Sequence, residues 1–225
     1  MKSTSTVKLL LVPALLACAA AAQAQTAGSW LARVGGTTIT PNVSSGDLTA
    51  PSLAGTKASI GNSSRLSGGI TYMVNDNLAI DVPLAIPFQH DISGDGAILG
   101  AGKIGDVKAL PATVLAQWRF LEANAPVRPY VGAGLTYAAF YGAKSTSTLT
   151  ALTGGTPSNP TTLSIDSKWA PTFLIGASFQ VGGGWFIDAA YTYTPLSTRT
   201  TLSSGQTLDA TLNPSSVSLA VGMRF

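Results

Sequence analysis

The last nine residues constrain this chain more than any other stretch. In Val217-Ser218-Leu219-Ala220-Val221-Gly222-Met223-Arg224-Phe225, valine, leucine, valine, methionine and phenylalanine hold the odd positions, and small residues or arginine hold the even ones. That is the period of a strand with two unlike faces. An exposed edge strand with one wholly apolar face invites pairing with another chain, so a water-soluble protein seldom ends on one. The closing strand of a membrane barrel escapes the problem: one face meets lipid, the other the lumen, and its edge is sealed against strand one. The rest of the chain must then supply an even number of similar strands.

Composition agrees. Charged residues make up only 10% of the 225 residues while hydrophobic ones make up 45%, against roughly 25% charged in an ordinary soluble domain. Beyond the N-terminus no run approaches the ~18 consecutive apolar residues of a membrane helix, because the apolar residues are spread in alternation. Residues 1–24 read as a signal peptide. Lys2 and Lys8 precede the apolar run Leu9 to Ala22, and Ala22-Gln23-Ala24 suits cleavage before Gln25. Leu15-Leu16-Ala17-Cys18 also approximates a lipid-attachment box, which is the alternative for this segment. Cys18 is the only cysteine, so cleavage leaves a chain without thiols. Without Lys2 and Lys8 the balance is 11 basic against 10 acidic residues, dispersed singly, which gives no footprint for nucleic acid.

Residues 25–225 then read as an eight-stranded antiparallel transmembrane β-barrel, an all-β fold, with short periplasmic turns and long extracellular loops. The strands are Ser29 to Thr40, Ser64 to Val74, Leu78 to Phe88, Val107 to Phe120, Val127 to Tyr141, Asp166 to Val181, Trp185 to Thr194, and a last one beginning after Asp209. The intervening segments alternate long and short, as in outer-membrane barrels. Arg33, Arg65, Asp81, Arg119, Arg128, Lys168, Asp188 and Arg224 all fall on the less apolar face of their strands. A lipid-facing Arg or Lys at mid-bilayer costs roughly 2–4 kcal/mol, so a membrane enforces such sorting. Aromatic residues form two belts: Trp30, Tyr72, Trp118, Phe120, Phe179, Trp185 and Phe225 near the periplasm, and Phe88, Tyr137, Tyr141, Trp169 and Tyr193 near the outer rim.

In the third strand Leu78, Ile80, Val82, Leu84, Ile86 and Phe88 are assigned to lipid. Pro83 and Pro87 share its other face, and since proline cannot donate to the ladder, the pairing there is expected to be distorted. The segment Gln89 to Asp106, with five glycines, reads as loop. In the lumen, Arg33, Asp81, Arg119, Arg128, Asp188 and Arg224 are expected to pair and block the periplasmic half. Above them Ala85, Pro87, Thr113, Leu115, Thr136, Ala138, Phe140, Ala170 and Thr172 are small or apolar and suit an apolar ligand. An eight-stranded barrel leaves no wide aqueous pore.

The segments Pro87-Phe88-Gln89-His90-Asp91-Ile92, Lys103-Ile104-Gly105-Asp106-Val107-Lys108-Ala109-Leu110-Pro111-Ala112-Thr113 and Arg128-Pro129-Tyr130-Val131-Gly132-Ala133-Gly134-Leu135-Thr136-Tyr137, with the terminal Phe225, resemble the core of the OmpW outer-membrane proteins. The resemblance implies a narrow hydrophobic channel, closed toward the periplasm, for passive uptake of small hydrophobic molecules with sideways release into the membrane of a Gram-negative bacterium. It also implies departures from the family: Pro83 and Thr192 stand where bulky apolar channel residues are usual, and Thr194-Pro195-Leu196-Ser197 replaces an acidic motif. The channel-lining or gating candidates are Pro83, Ala85, Pro87, His90, Leu115, Phe140 and Thr192. The partners implied are outer-membrane lipid, small hydrophobic ligands, and the barrel assembly machinery through Phe225. The competing reading is a structural or surface-interaction barrel acting through the Ser/Thr-rich loops Pro41 to Ser63 and Gly142 to Ile165.

No cofactor, metal or catalytic residue is expected. His90 is the only histidine, and without cysteine or a carboxylate cluster it is a poor metal ligand. A structural hydrogen bond is its default role, with gating or ligand contact as the functional alternative. There is no Gly-x-Ser-x-Gly elbow and no Gly-Lys-Ser/Thr phosphate loop, so an enzyme is not indicated.

Overall fold

The structure, a computed structural model, describes residues 24–225; the signal-peptide reading falls on a segment that, but for Ala24, lies outside the described residues. The elements in chain order are β1 (Trp30–Thr40), β2 (Ser44–Ser45), β3 (Thr56–Ile60), β4 (Ser63–Met73), β5 (Leu78–Ala85), β6 (Phe88–Gly96), β7 (Lys103–Arg119), β8 (Val127–Ser145), α1 (Ser147–Leu152), β9 (Leu163–Ile165), β10 (Lys168–Gly182), β11 (Trp185–Tyr193), β12 (Ser197–Leu202), β13 (Thr207–Thr211) and β14 (Ser215–Arg224). Eight staves close antiparallel in the order β1, β4, β5, β7, β8, β10, β11, β14 and back to β1. The seam is made by the terminal strand, whose Arg224 to Ser215 run opposite Leu31 to Thr40. Trp30 and Phe225 complete it, each backbone N–H donating to the other's carbonyl at 2.8 and 2.9 Å. Closure leaves no free edge strand, as the hydrocarbon of a bilayer demands, apart from one interruption between β5 and β7.

The outer surface carries the alternation. Val34, Leu66, Ile70, Leu84, Val114, Leu135, Ile175, Val217, Leu219 and Val221 all point out and are exposed. An apolar surface of this extent needs lipid against it. Trp30 stacks on Tyr72 at 4.8 Å near one rim, and Tyr137 on Trp169 at 5.1 Å near the other.

Two sequence expectations are corrected. The stretches read as outer loops are largely structured: β6 and the first residues of β7 replace the glycine-rich loop, and β2, β13, β12 and β9 form a separate four-stranded sheet beyond the barrel rim. These extensions bury Leu48, Ile92, Ile104, Leu149, Leu163, Leu202, Leu208 and Leu212 in one apolar cluster with Val107 and Ala138 of the barrel.

Phe88 is the second correction. It faces inward, 1% exposed, rather than toward lipid. Strand three is not continuous: β5 ends at Ala85, residues 86 and 87 are outside any strand, and β6 begins at Phe88. β5 pairs with β7 from Leu78↔Trp118 to Asp81↔Leu115, and β6 resumes at Phe88↔Ala109. Between those points six residues, 82–87, face five, 110–114, with no ladder across. The extra residue reverses the inside–outside phase, as a bulge does, so Ala79 and Asp81 are buried below the break and Phe88, His90 and Ile92 above it.

Candidate lumen site

The lumen has three storeys. At the floor, Arg33 of β1 reaches Asp81 of β5 with two parallel bonds, Nη1 to Oδ1 at 2.7 Å and Nη2 to Oδ2 at 2.8 Å. Its Nε lies 3.8 Å from Asp188 of β11. Thr71 donates to Asp81 at 2.5 Å, and the Tyr130 hydroxyl donates to both Asp188 oxygens at 2.9 and 3.0 Å. Fork-to-fork pairing of this kind offsets much of the cost of burying the charges. Gly176 makes room for Tyr130, since a Cβ there would lie 2.5 Å from the ring.

Arg119 and Arg128 do not join that carboxylate group. Arg119 donates to Gln25 Oε1 at 2.9 Å and to Ser178 at 2.8 Å, and lies over the Tyr130 ring at 4.6 Å. Arg128 donates to the Gln25 carbonyl at 3.0 Å and to the Asp76 carbonyl. Gln25, fully buried, thus serves both guanidiniums from the periplasmic end. Arg224 is buried at the seam opposite Leu31. The six charges therefore divide into a paired group, Arg33 with Asp81 and Asp188, two arginines, Arg119 and Arg128, held by neutral oxygens, and Arg224 apart at the seam. Gln25 and Tyr130 were not among the site residues read from the sequence. Tyr130 falls on the inward face of β8, whereas Gln25 precedes the first strand and carries no periodic signal.

Above the floor lies a belt of hydroxyls. Thr113, Thr136, Thr172 and Thr194 are linked in series at 2.7, 2.5 and 2.9 Å. Thr37 bonds Ser67 and Ser218, each at 2.7 Å, and Thr192 bonds Ser216.

The top storey is an apolar funnel continuous with the extracellular cluster. The whole space is a cavity of about 350 Å³. Pro83, Ala85, His90, Leu115, Phe140 and Thr192 all line it; Pro87 does not. Pro87 instead lends its carbonyl to Arg65 Nε at 3.2 Å. Leu84 borders the cavity too, although its side chain points outward and is 52% exposed, so the space extends to the wall where β5 and β7 are unpaired.

His90 Nδ1 lies 2.8 Å from the Gly61 carbonyl, an acceptor, so the proton sits on Nδ1. Outward neighbours Gln89 and Asp91 are exposed and polar, which places this part of β6 beyond the lipid band. Burial lowers the His90 pKa below its ordinary value, helped by Arg65 and opposed by the Gly61 bond and Asp91.

The comparisons with known proteins follow this geometry. The model of the OmpW family matches residues 26–225. Outer membrane protein W of Vibrio cholerae is 33% identical over 204 residues, covering 88% of this chain and 89% of that one. A dibenzothiophene metabolism operon protein of Pseudomonas aeruginosa, PahQ, is 27% identical over 200 residues, 87% of this chain and 88% of its own. Among solved structures, the outer membrane protein OprG of Pseudomonas aeruginosa superposes with a TM-score of 0.80 at 24% identity, over 90% of this chain and 98% of that one. The outer membrane protein AlkL in DMPC bilayers gives 0.67 at 25% identity, over 92% and 94%. This chain belongs to the OmpW family and is an outer-membrane β-barrel of the OmpW and AlkL type.

Proposed function

We propose that this barrel is a passive route for small hydrophobic molecules, which enter the apolar funnel from outside and leave sideways between β5 and β7 into the membrane. The observation that carries this reading is the break in the ladder at cavity height, where residues 82–87 face 110–114 without pairing. Pro83, Pro87 and Pro111 lie in or beside it, and none has an N–H to donate across it. The floor of Arg33, Asp81, Asp188 and Arg119 blocks straight passage for an apolar solute, because displacing it means separating buried charges. The similarity to a protein named for dibenzothiophene metabolism fits a cargo of fused-ring size.

The test is to staple the gap. Val82 and Val114 face outward on its two sides. A chain carrying Val82→Cys and Val114→Cys, bridged by oxidation or by a short thiol-reactive linker, is expected to lose uptake of dibenzothiophene into whole cells. Cleaving the bridge is expected to restore it. Full uptake through the bridged barrel refutes the sideways exit.

A further inference from the structure

We infer that the hydroxyl belt is a polar subsite, and that the preferred ligand is an apolar body bearing one hydrogen-bonding oxygen, an alcohol or phenol, rather than a bare hydrocarbon. The inference rests on the hydrophobic-uptake reading and deepens it. All nine hydroxyl residues, Thr37, Ser67, Thr113, Thr136, Thr172, Thr192, Thr194, Ser216 and Ser218, line the cavity. They form three chains, of four, three and two members.

A hydroxyl carries one hydrogen and two lone pairs. A chain of n hydroxyls closed by n−1 internal bonds uses all its hydrogens but one. Each of the three chains therefore keeps one donor, and most members keep a lone pair. An open chain of this kind can donate to a ligand oxygen or accept from a ligand O–H, and it can reverse its direction to do either, because each of these links runs in either sense. A bare hydrocarbon at the same height leaves those donors facing an apolar surface, which costs free energy.

The belt's position sharpens the point. It runs through β7, β8, β10, β11, β14, β1 and β4 and stops at β5, where Ala85 stands opposite Ser67. Thr113 and Ser67 are thus its two ends, and they flank the unpaired wall. A ligand whose oxygen rests on the belt keeps its apolar body against Phe88 and Phe140 and beside the gap.

The experiment compares naphthalene with 2-naphthol by titration calorimetry on the full barrel in nanodiscs, with empty nanodiscs subtracted. The wild-type chain is expected to bind 2-naphthol roughly 3- to 10-fold more tightly than naphthalene, the span of one net hydrogen bond. In Thr136→Val with Thr172→Val, isosteric changes in the longest chain, that ratio is expected to fall toward one while naphthalene binding holds or strengthens. A second variant, Thr192→Val with Ser216→Ala, cuts another chain and supplies the same readout should the first fail to fold by circular dichroism. Naphthalene binding with no naphthol preference, or a preference both variants retain, overturns the belt as a subsite and leaves hydrophobic uptake standing. Binding of neither ligand above empty nanodiscs overturns both.

Discussion

Two bidentate ion pairs in this chain have the same bond lengths and opposite surroundings, which makes Asp81 the sharpest point at which to perturb it. Arg33 holds Asp81 at 2.7 and 2.8 Å, and Arg199 holds Asp209 at 2.7 and 2.8 Å. The side chain of Asp81 is 1% exposed and that of Asp209 is 65% exposed. If bond length set the energy, Asp81→Asn and Asp209→Asn would be equivalent. Burial sets it instead. Asp81→Asn leaves Arg33 in the floor with Asp188 at 3.8 Å as its remaining carboxylate, while Arg119 and Arg128 stay in place.

Removing one partner of a buried pair costs about 3–5 kcal/mol, most of it the penalty of the charge left behind. Some relief is expected because the Arg33 side chain, 12% exposed, borders the cavity, which places the loss at about 3 kcal/mol, the lower end of that span. Reversible urea unfolding in lipid vesicles, followed by tryptophan fluorescence, measures it. Asp209→Asn should give a curve superimposable on wild type, since an exposed pair is screened and contributes little. A loss under about 1 kcal/mol for Asp81→Asn, the level of an exposed pair, would refute the claim that the floor is a dry, charge-paired plug. Raised ion conductance of Asp81→Asn in planar bilayers is the companion readout, because a floor short of one carboxylate admits water and counter-ions.

Two further outcomes follow from the fold. Phe225 closes the seam with its backbone while its ring is exposed, so Phe225→Ala should leave the stability of the inserted barrel within about 1 kcal/mol of wild type, as for a surface change, yet lower the amount inserted in the outer membrane; normal levels by membrane fractionation would refute an assembly role. The folded pKa of His90 lies below the unfolded value of 6.5, so the folded chain binds this proton less readily. Its contribution is therefore complete above pH 6.5 and lost as pH falls through the lowered value. The protection of amides around Gly61 and His90, taken relative to the intrinsic exchange rate at each pH, should fall between pH 7 and pH 5 in wild type and stay flat in His90→Gln.

How much of this was legible in the sequence depends on what each position faces. Where one side is lipid and the other charge, as along Ala79 and Asp81 against Ile80 and Val82, hydropathy alone assigns the faces. The outer extensions were hidden by their serines and threonines, though Leu208, Ala210 and Leu212 alternate and were a readable sign of β13. Gln25 gave no sign, since its arginines lie 94 and 103 residues away.

Phe88 shows the deeper limit. From Leu78 to Phe88 the even positions are apolar without interruption, and the strand looks continuous. Hydropathy cannot register a change of phase where both faces are apolar, and at this height the cavity-facing residues of β5, Pro83 and Ala85, carry no more polarity than its lipid-facing ones. The clue was Ile92, which shares the phase of Phe88 and His90 opposite the polar Gln89, Asp91 and Ser93; beyond the lipid band, where the outside is water, the apolar phase is the inward one. Reading it as inward forces an odd residue between Asp81 and Phe88, because the side-chain period is two. That odd residue is the sixth of 82–87 against the five of 110–114. The inward phenylalanine and the unpaired wall are therefore one feature: a chain that alternated without the slip would have kept Phe88 in the lipid and zipped β5 to β7 along its whole length.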